Sequence, residues 1–319
     1  MAAAKPIVVI GSVNMDLVCR TPHMPVAGET ILGKDFVTIP GGKGANQAVA
    51  AARLGGQVYM VGRVGNDDFG QRLLVGLRQH KVDATLVTVT EGVASGVAMI
   101  LVDVEGENSI VVAPGPNAKL TPADVDAAES VIAGAACVVM QLEVPFPTVR
   151  HAIAMCQRLG VPTILDPAPA PTKGLPRALY GVDVLTPNQT EAELLLGRER
   201  TADKKVRRKG VADPKTVASD LLSRGPRAVL LKLGAGGAML LGRDGQLTQG
   251  KPFKVKVVDT TAAGDAFTAG YAVSLAEGRE PVEALRFANA AGALACTAFG
   301  AQPALPARAA VEALVAGRG

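Results

Sequence analysis

The sequence predicts a three-layer αβα fold, in which a mostly parallel central sheet lies between two layers of helices. Short runs rich in β-branched residues alternate along the chain with Ala-rich stretches of helical length. This alternation is typical of a parallel sheet that is covered on both faces. The chain has 319 residues, of which 48% are hydrophobic, so it can bury one large core. We therefore expect one α/β domain over residues 1–319.

The apolar runs and the Ala-rich stretches give the individual elements. The predicted strands are 7–11, 58–61, 137–142, 162–165, 184–186, 228–233, 238–241 and 255–258. The predicted helices are 43–54, 69–80, 122–133, 148–159, 191–196, 214–223, 266–277 and 282–298.

Two stretches near the start of the chain break this alternation. Residues 17–39 and 96–112 both read as strand without an intervening helix, and a turn is predicted at 105–108. We expect them to pair as a small second sheet, formed by insertions at about 15–40 and 94–113. A sheet in this place can act as a lid over the ligand edge of the main sheet. The alternative is that these strands extend the edge of the main sheet.

Composition and charge narrow the classes of partner. Aromatic residues make up only 3% of the chain and Trp is absent, which disfavours binding of nucleic acid through stacked bases. The formal net charge is +4, but the segment from Arg198 to Lys209 alone carries +5, which leaves −1 for the rest. We interpret this basic segment as a solvated face, or less often as a docking site for an acidic partner.

Cysteine usage and the N-terminal sequence favour a cytoplasmic protein. The four Cys are widely spaced and form no CxxC pair, which fits a reducing compartment. No secretion signal is recognisable at the N-terminus. The longest uncharged stretch, 287–307, contains Pro303 and Pro306, so it reads as a buried helix followed by a loop and not as a membrane span.

Polar residues follow most of the predicted strands at the point where each strand ends. In an open α/β sheet, ligands bind beyond the carboxyl ends of the strands. Each residue could instead be a turn former or a helix cap, but together they predict a ligand site at one edge of the sheet. These residues are Asn14, Asp16, Glu143, Asp166, Asn188, Gly234 and the segment from Asp259 to Asp265.

The strongest local motif is residues 257–267, in which a small-residue turn leads into an apolar helix. Small residues leave backbone N–H groups accessible at a helix N-terminus, and the helix dipole favours an anion there. Asp265 at the helix entry can accept a proton from a hydroxyl that attacks phosphorus. The alternative is an Asp that caps the helix in a tight turn.

Three other motifs have both a functional and a structural interpretation. Residues 40–48 place glycines before a helix of small residues, where Lys43 and Asn46 can face one pocket, although such glycines often only form a turn. Residues 233–237 fit a hairpin or a nucleotide contact. Asn188 and Glu191 fit a helix cap, or Glu191 can hold a hydrated Mg²⁺.

Several other chemistries lack their motifs. The sequence contains neither GxxxxGK[ST] nor GxGxxG, so neither a Walker-type phosphate loop nor the usual dinucleotide fingerprint is present. The three His have no metal-ligand spacing, and no GxSxG occurs. Proton transfer by a carboxylate is the chemistry that remains.

The motifs, taken in order, resemble those of a known family. They are residues 11–16, 25–30, 41–48, 106–108, 140–143, 166–170, 186–193, 259–265 and 300–303. On these residues the chain resembles the ribokinase-like carbohydrate kinases, the PfkB family, over nearly its whole length. The resemblance implies the three-layer fold with a small β-sheet lid.

The resemblance also implies an activity, the ATP-dependent phosphorylation of the 5-hydroxyl group of D-ribose. It implies Asp265 as the general base and the amides of Ala262, Ala263 and Gly264 as an anion hole. The implied sugar-binding residues are Asn14, Asp16, Gly42, Lys43, Asn46, Glu143 and Asp265.

The cofactors that the resemblance implies are ATP, Mg²⁺ and a monovalent cation, K⁺. Asn188 and Glu191 would face Mg²⁺ and the phosphates, and the other nucleotide contacts would be Lys232, Gly234, Gly237, Gly264 and Asn289. The cation would lie at Asp259, Thr261, Ala295, Ala298 and Gly300. Two departures from the family pattern are Ala262, where many relatives have Gly, and Ala304, where relatives often have a Ser near the cation.

Finally, the resemblance implies a homodimer formed through the lid sheets, with no nucleic acid or membrane partner. A cytoplasmic location is expected, and a nuclear one also if the source is eukaryotic. The alternatives are a kinase of the same fold that acts on another sugar or a nucleoside, and a catalytically silent sugar binder. A Rossmann-type dehydrogenase is disfavoured because the fingerprint is absent.

Overall fold

The computed structural model describes residues 5–198 and 213–318. The strands are β1 Ile7–Ile10, β2 Asn14–Arg20, β3 Asp35–Gly41, β4 Val58–Gly65, β5 Val82–Asp83, β6 Val87–Thr90, β7 Gly96–Val102, β8 Asn108–Ala113, β9 Cys137–Met140, β10 Thr163–Leu165, β11 Val184–Leu185, β12 Ala228–Lys232, β13 Ala238–Gly242 and β14 Leu247–Gly250. The helices are α1 Lys43–Arg53, α2 Asp68–Gln79, α3 Pro122–Asp126, α4 Glu129–Ala133, α5 Phe146–Leu159, α6 Gln189–Leu195, α7 Pro214–Leu222, α8 Ala263–Ala276, α9 Pro281–Ala295 and α10 Arg308–Val315.

The main sheet has ten strands in the order β14-β13-β12-β11-β10-β9-β1-β4-β5, with β6 also paired to β4. Pairing is parallel from β12 through β5 and antiparallel only at the β12–β13 and β13–β14 pairs. The carboxyl ends of the parallel strands therefore meet at one edge, as predicted.

Alternation along β1 explains the three layers. Ile7 and Val9 pack into one buried cluster with residues of α1, α8 and α9, whereas Val8 and Ile10 pack into a second cluster with residues of α5 and α7. A strand that buries both faces requires helices on both sides of the sheet. The predicted three-layer αβα fold is confirmed.

The two stretches that break the alternation form a separate four-stranded sheet in the order β3-β2-β7-β8. The β2–β7 pair is parallel and the other two pairs are antiparallel. The second sheet is thus confirmed, and the alternative of extra edge strands on the main sheet is wrong. Of the predicted 17–39 segment, the part between Arg20 and Asp35 is not strand.

Some element predictions are corrected. The predicted strand 255–258 is wrong, because this segment has no strand partner and Val258 N donates instead to the Cys296 carbonyl. The edge strand of this region is β14, which the sequence analysis did not predict. The predicted helix 122–133 consists of the two short helices α3 and α4. Short β5 and β6 were also missed.

Two further predictions concern surfaces. Among the residues that the structure describes, no helix is long and apolar enough to cross a bilayer. Of the basic segment 198–209, only Arg198 is described, and its guanidinium forms ion pairs with Glu193 and Asp220. The remainder of that segment lies outside the described residues.

Candidate active site

The candidate site lies where the carboxyl ends of the parallel strands meet the N-termini of α1 and α8. These two helices pack against each other on one face of the sheet. The first turn of α8 carries Asp265, and the first turn of α1 carries Lys43 and Asn46. Loops after the strands supply Glu143 and Asp166, as the sheet-edge argument predicts.

Asp265 is buried and its carboxylate is held by two amides of α1. Asn46 Nδ2 donates to Asp265 Oδ2 at 3.1 Å, and Gln47 Nε2 donates to Asp265 Oδ1 at 2.9 Å. Burial raises the pKa of Asp265 above its ordinary value, and the charge of Asp166 adds to this, while Lys43 and the two amides oppose it. A carboxylate with a raised pKa suits a general base. The alternative role as a helix cap is not observed, because the N-cap residue is Ala262 and makes no side-chain bond.

Glu143 connects β9 to the N-terminus of α1. Its Oε2 accepts hydrogen bonds from Ser12 Oγ at 2.5 Å and from Lys43 N at 3.2 Å. Burial by itself lowers the pKa of Lys43, but the facing carboxylates, Asp265 and Glu143 foremost, raise it above its ordinary value. Lys43 is therefore a fixed cation between these acids.

Asp16 lies on β2 of the second sheet and faces the same acids. Burial raises the pKa of Asp16 to about 7, and the charges of Glu143 and Asp265 contribute, while Lys43 opposes them. Within the described chain, the Asp16 carboxylate makes no hydrogen bond. The carboxylates of Asp16, Glu143 and Asp265 together form an acceptor-rich pocket. Such a pocket suits a ligand that carries several hydroxyl groups.

Two buried amides complete this pocket. Asn14 Oδ1 accepts a hydrogen bond from Asn117 Nδ2 at 2.7 Å, which fixes the Asn14 amide. Asn46 Oδ1 is buried and accepts no hydrogen bond from any residue that the structure describes. A buried acceptor without a donor is costly, so Asn46 fits a ligand that donates an O–H to it.

Glycines at the end of β3 let the backbone approach these groups. Gly42 has φ 85°, and a Cβ there would lie 2.7 Å from Asn14 N. A Cβ at Gly41 would meet the Asp16 carboxylate. Only glycine fits both positions without moving the pocket, so the Gly-rich motif here has more than a turn function.

The N-terminus of α8 has free donors. The N–H groups of Ala262, Gly264 and Asp265 donate to no acceptor in the part of the chain that is described. The prediction of a free amide at Ala263 is wrong in this structure, because Ala263 N donates to the Thr260 carbonyl at 3.3 Å. Ala262 adopts the left-handed conformation with φ 59°, which costs a non-Gly residue about 1 kcal/mol. The Lys232 ammonium approaches the same turn, 3.6 Å from where a Cβ of Gly264 would be. Free N–H groups, the helix dipole and a cation together form an anion site.

Asn188 and Glu191 cap α6. Asn188 Oδ1 accepts from Glu191 N, and Glu191 Oε2 accepts from Asn188 N, both at 2.8 Å. The capping interpretation is thus confirmed in this structure. Burial raises the pKa of Glu191, although the Lys232 ammonium opposes the shift. Glu191 is therefore close enough to Lys232 and Asp166 to belong to the same charged group.

Two of the predicted nucleotide glycines, Gly234 and Gly237, lie at the β12–β13 hairpin, which confirms the hairpin interpretation of residues 233–237, and the third, Gly264, lies in the first turn of α8. Gly234 is exposed there. Gly237 has φ 85° and packs against the backbone of 250–252. Asn289 of α9 donates to the Lys251 carbonyl at 3.2 Å, so it meets the same segment. Gly237 and Asn289 therefore both contact the segment that begins at Lys251.

The residues predicted to hold a monovalent cation occupy two loops that Asp259 joins. Asp259 Oδ1 accepts from Thr261 Oγ1 at 2.7 Å, and Oδ2 accepts from Gly300 N at 2.9 Å. Burial favours the neutral acid, but these hydrogen bonds lower the pKa of Asp259 below its ordinary value. Ala295 ends α9, and Ala298 and Gly300 follow it, so all five predicted residues lie on the joined loops.

Several residues that support the site have no predicted role. Gln47 and Gln141 belong to the motifs 41–48 and 140–143, and the only signal at Asp166 is a polar residue that follows a predicted strand. Ser12 holds Glu143, and Asn117 holds Asn14. No sequence pattern could pair Asn117 with Asn14, because 103 residues separate them and only the fold brings them together.

Comparisons with known proteins identify the family. Residues 4–308 match the model described as pfkB family carbohydrate kinase. The ribokinase of Bacillus subtilis is 41% identical over 312 residues, which are 97% of this chain and 99% of that protein. The deoxyribokinase of Salmonella typhi is 35% identical over 300 residues, covering 94% of this chain and 95% of that protein. A structure of Arabidopsis thaliana ribokinase complexed with ribose and ATP has a TM-score of 0.86 and 33% identity, covering 98% of this chain and 99% of that one. This chain therefore belongs to the pfkB family of carbohydrate kinases.

Proposed function

We propose that this carbohydrate kinase transfers the γ-phosphoryl group of ATP to O5 of D-ribose, giving D-ribose 5-phosphate and ADP. The observation that carries the proposal is the buried Asp265 carboxylate beside the free N–H groups at the start of α8. A base and an anion site in one helical turn are what transfer of a phosphoryl group to an alcohol requires. The names of relatives at 41% and 33% identity support ribose as the sugar.

In the proposed reaction, Asp265 accepts the proton of the O5 hydroxyl as the O5–phosphorus bond forms. The bond between the γ-phosphorus and the bridging oxygen breaks, and ADP leaves with that electron pair. The free N–H groups of Ala262 and Gly264 stabilise the charge that develops on the phosphoryl oxygens, and the Ala263 N–H can join them only by giving up its bond to the Thr260 carbonyl. Lys232 adds a positive charge at the same turn.

The sugar subsite is proposed at the acceptor-rich pocket. Asp16 and Glu143 accept hydrogen bonds from ribose hydroxyls, Asn46 Oδ1 accepts a further one, and the Lys43 ammonium donates. Asn14 and the backbone of Gly42 complete the pocket. The unpartnered Asn46 Oδ1 and the raised pKa of Asp16, which burial causes, both support a site that is completed by a hydroxyl-bearing ligand.

The nucleotide subsite is proposed at Lys232, Gly234, Gly237, Gly264 and Asn289. Mg²⁺, when bound with the phosphates, neutralises charge on the transferred group. In the described residues no cluster of three or more His, Cys, Asp or Glu forms a metal cage. This fits an ion that arrives on the nucleotide and meets one carboxylate, Glu191, beside Asn188.

A monovalent cation, K⁺, is proposed at Asp259, Thr261, Ala295, Ala298 and Gly300. Backbone carbonyl oxygens are suitable ligands for such an ion. Across the described residues, none of these five carbonyls accepts a hydrogen bond from a backbone N–H, which leaves them available. Ala304 has no hydroxyl to add, so we expect the cation to be held by the carbonyls.

The second sheet is proposed to act as a lid that excludes water, and its outer part as the surface of a homodimer. Large apolar side chains on three of its strands are strongly exposed, among them Phe36 at 61%, Ile110 at 52% and Val111 at 58%. Phe36, Met99 and Val111 lie on one face of this sheet, and exposed apolar residues on one face are typical of an interface. A Val111→Asp variant that sedimented like the unchanged chain would contradict this dimer.

The experiment that tests the function is coupled ADP production with D-ribose, for the unchanged chain and for Asp265→Asn, with K⁺ and with Na⁺. Loss of a general base typically costs about 10²–10⁴ in rate, so we expect kcat to fall by that much while the variant still binds ribose. Near-normal turnover of Asp265→Asn would reject the mechanism. Ribose binding without ADP formation by the unchanged chain would indicate a silent binder.

A second candidate substrate is deoxyribose, favoured by the 35% identity to a deoxyribokinase. The same assay over ribose, deoxyribose, fructose and a nucleoside separates the candidates. The expected order places ribose first, because the pocket offers more acceptors than a sugar without the 2-hydroxyl can use. A higher kcat/KM for deoxyribose or a nucleoside would replace the proposed substrate.

A further inference from the structure

A chain of buried polar side chains lies behind Asp265, and the proposed reaction does not use it. Gln47 Nε2 donates both to Asp265 Oδ1 at 2.9 Å and to Asp166 Oδ2 at 3.0 Å. Asp166 Oδ1 accepts from Lys232 Nζ at 2.9 Å. Gln47 and Asp166 are only 1% and 2% exposed, so these contacts form away from solvent. Buried polar chains of this kind are costly unless each bond is made.

The orientation of the Gln47 amide is fixed from behind. Gln141 Nε2 donates to Gln47 Oε1 at 2.6 Å, which requires the Gln47 nitrogen to face the two carboxylates. Gln141 directly follows β9 and is fully buried. The Gln47 amide therefore cannot turn its oxygen towards Asp265 without losing this bond.

The two oxygens of Asp265 consequently have different surroundings. Oδ1 is bound by Gln47, on the side of Asp166, and Oδ2 is bound by Asn46. Asn46 belongs to the proposed sugar subsite, so Oδ2 is the oxygen on the sugar side. A carboxylate that is held at Oδ1 presents Oδ2 in a constant direction, which is what a proton acceptor needs.

Asp166 connects this arrangement to the anion site. Its second oxygen holds Lys232, whose ammonium lies near Gly264 at the start of α8. Thr268 Oγ1 gives Asp166 a further hydrogen bond at 3.3 Å. Asp166 thus fixes Gln47 on one side and Lys232 on the other.

We infer that Gln47 and Asp166 are positioning residues for the proposed base. Gln47 orients Asp265 and stabilises its ionised form through a hydrogen bond, and Asp166 holds Gln47 and Lys232 while its negative charge acts against that ionised form. This inference rests on the proposed function, in which Asp265 takes the proton of the sugar hydroxyl.

Electrostatics give the two residues opposite effects. The groups that face Asp265 are Lys43 from α1, Asp16 from β2 and Asp166 from the loop after β10, with Lys232 of β12 behind Asp166. Burial is the main cause that raises the pKa of Asp265, and the negative charge of Asp166 also raises it, whereas Lys43, Gln47 and Asn46 lower it. Removing Gln47's donor must therefore raise this pKa, and removing Asp166's charge must lower it.

The test is the pH dependence of kcat/KM for ribose at saturating ATP, between pH 5 and pH 9, for Gln47→Met and Asp166→Asn. Gln47→Met keeps the length of the side chain but donates no hydrogen bond. We expect its acid limb to move up by roughly half to one pH unit and kcat to fall about 10–100-fold. For Asp166→Asn we expect the acid limb to move to lower pH, because the variant removes the negative charge that raises the pKa of Asp265. The variant also leaves the Lys232 ammonium without its counterion, which acts in the same direction.

Matched controls lie far from the site. Gln157→Met removes a Gln that donates to the Gly181 carbonyl at 2.7 Å, and Asp220→Asn removes an ion pair with Arg198. Both should leave the pH profile and kcat unchanged. If Gln47 and Asp166 had a purely structural role, both test variants would lose activity or stability, but their acid limbs would not move in opposite directions. That result overturns the inference.

Folding of each variant is checked by thermal denaturation. Gln47→Glu has the same shape and should move the acid limb up at least as far, so it replaces Gln47→Met if that variant does not fold. If Asp166→Asn does not fold, an unmoved acid limb in Gln47→Glu rejects the inference. Near-normal turnover of Asp265→Asn rejects the proposed function itself, so the two failures are distinguishable.

Discussion

The two halves of the candidate site differ in how far they are built before a ligand arrives. On the sugar side, Asn14, Glu143 and Asp265 are each held by hydrogen bonds from other parts of the chain. On the proposed nucleotide side, the irregular segment that begins at Lys251, beside Gly237 and Asn289, leads to Val257 and Val258, which are 60% and 57% exposed. At the start of α8, the N–H groups of Ala262, Gly264 and Asp265 donate to no acceptor among the described residues.

This difference has a physical reason. A sugar offers many small polar groups, so selection among sugars requires acceptors at fixed positions, and fixed positions require supporting hydrogen bonds. A nucleotide offers a large flat base and phosphates, which exposed apolar side chains and free N–H groups can cover on binding. We therefore expect changes on the sugar side to affect both stability and sugar KM, and changes on the nucleotide side to affect ATP KM alone.

Glu143→Gln gives the largest expected effect. The charged acceptor of Ser12 and Lys43 N is lost together with a charged acceptor for the sugar, and hydrogen bonds to charged groups contribute about 1.5–3 kcal/mol each. Ribose KM should rise roughly 10–100-fold and the melting temperature should fall, with ATP KM unchanged. Initial rates and thermal denaturation measure these quantities. Glu129→Gln, at an exposed ion pair with Arg158, is the matched control and should change neither.

Asp16→Asn tests how much the burial of the ionised Asp16 carboxylate lowers the stability of the sugar-free protein. Because burial raises the folded-state pKa of Asp16 from 3.8 to about 7, its contribution to stability is fully present below pH 4 and is lost as the pH rises through 7. The unchanged chain should therefore lose up to about 4 kcal/mol between pH 4 and pH 8 from this group. Asp16→Asn lacks that loss, so it should be more stable than the unchanged chain at pH 8 and about equal near pH 4.

The measurement is chemical denaturation of the sugar-free protein at several pH values. Asp35→Asn, an exposed position on β3 of the same sheet, is the control. A stability difference between Asp16→Asn and the unchanged chain that does not grow with pH would show that burial does not raise the pKa of Asp16, and the expectation that the ionised Asp16 destabilises the sugar-free protein would fail.

Val257→Ser gives the smallest expected effect and tests the other half. If the exposed valine covers the nucleotide base, its loss should raise ATP KM about 3–10-fold, the equivalent of roughly 1 kcal/mol of apolar contact. Ribose KM and the melting temperature should not change. Val282→Ser, at an equally exposed valine of α9, is the matched control. A fall in melting temperature for Val257→Ser would mean that the nucleotide side is as preformed as the sugar side.

The reliability of the sequence predictions also differs between these regions. The helices α1, α5 and α8 and the parallel strands other than the short β5 and β6 were predicted within a few residues, because their apolar periodicity reports burial directly. The strand prediction for 255–258 is wrong although alternating valines favour a strand. No strand of the described residues pairs with this segment, and the Val258 N–H donates to the Cys296 carbonyl. Strand propensity is local, but a strand needs a partner.

Periodicity and turn chemistry act over a few residues, and they were enough to predict the αβα architecture, the second sheet and the motif that ends in Asp265. Which side chains meet follows from the folded chain alone: Asn117 meets Asn14, Ser12 meets Glu143, and Gln47 meets both Asp166 and Asp265. These contacts join residues that are about 100 to more than 200 positions apart in the chain. Packing of α1 against α8 brings Gln47 to Asp265, and the parallel pairing of β1 with β9 brings Ser12 to Glu143. Burial in the site that results is what raises the pKa of Asp265.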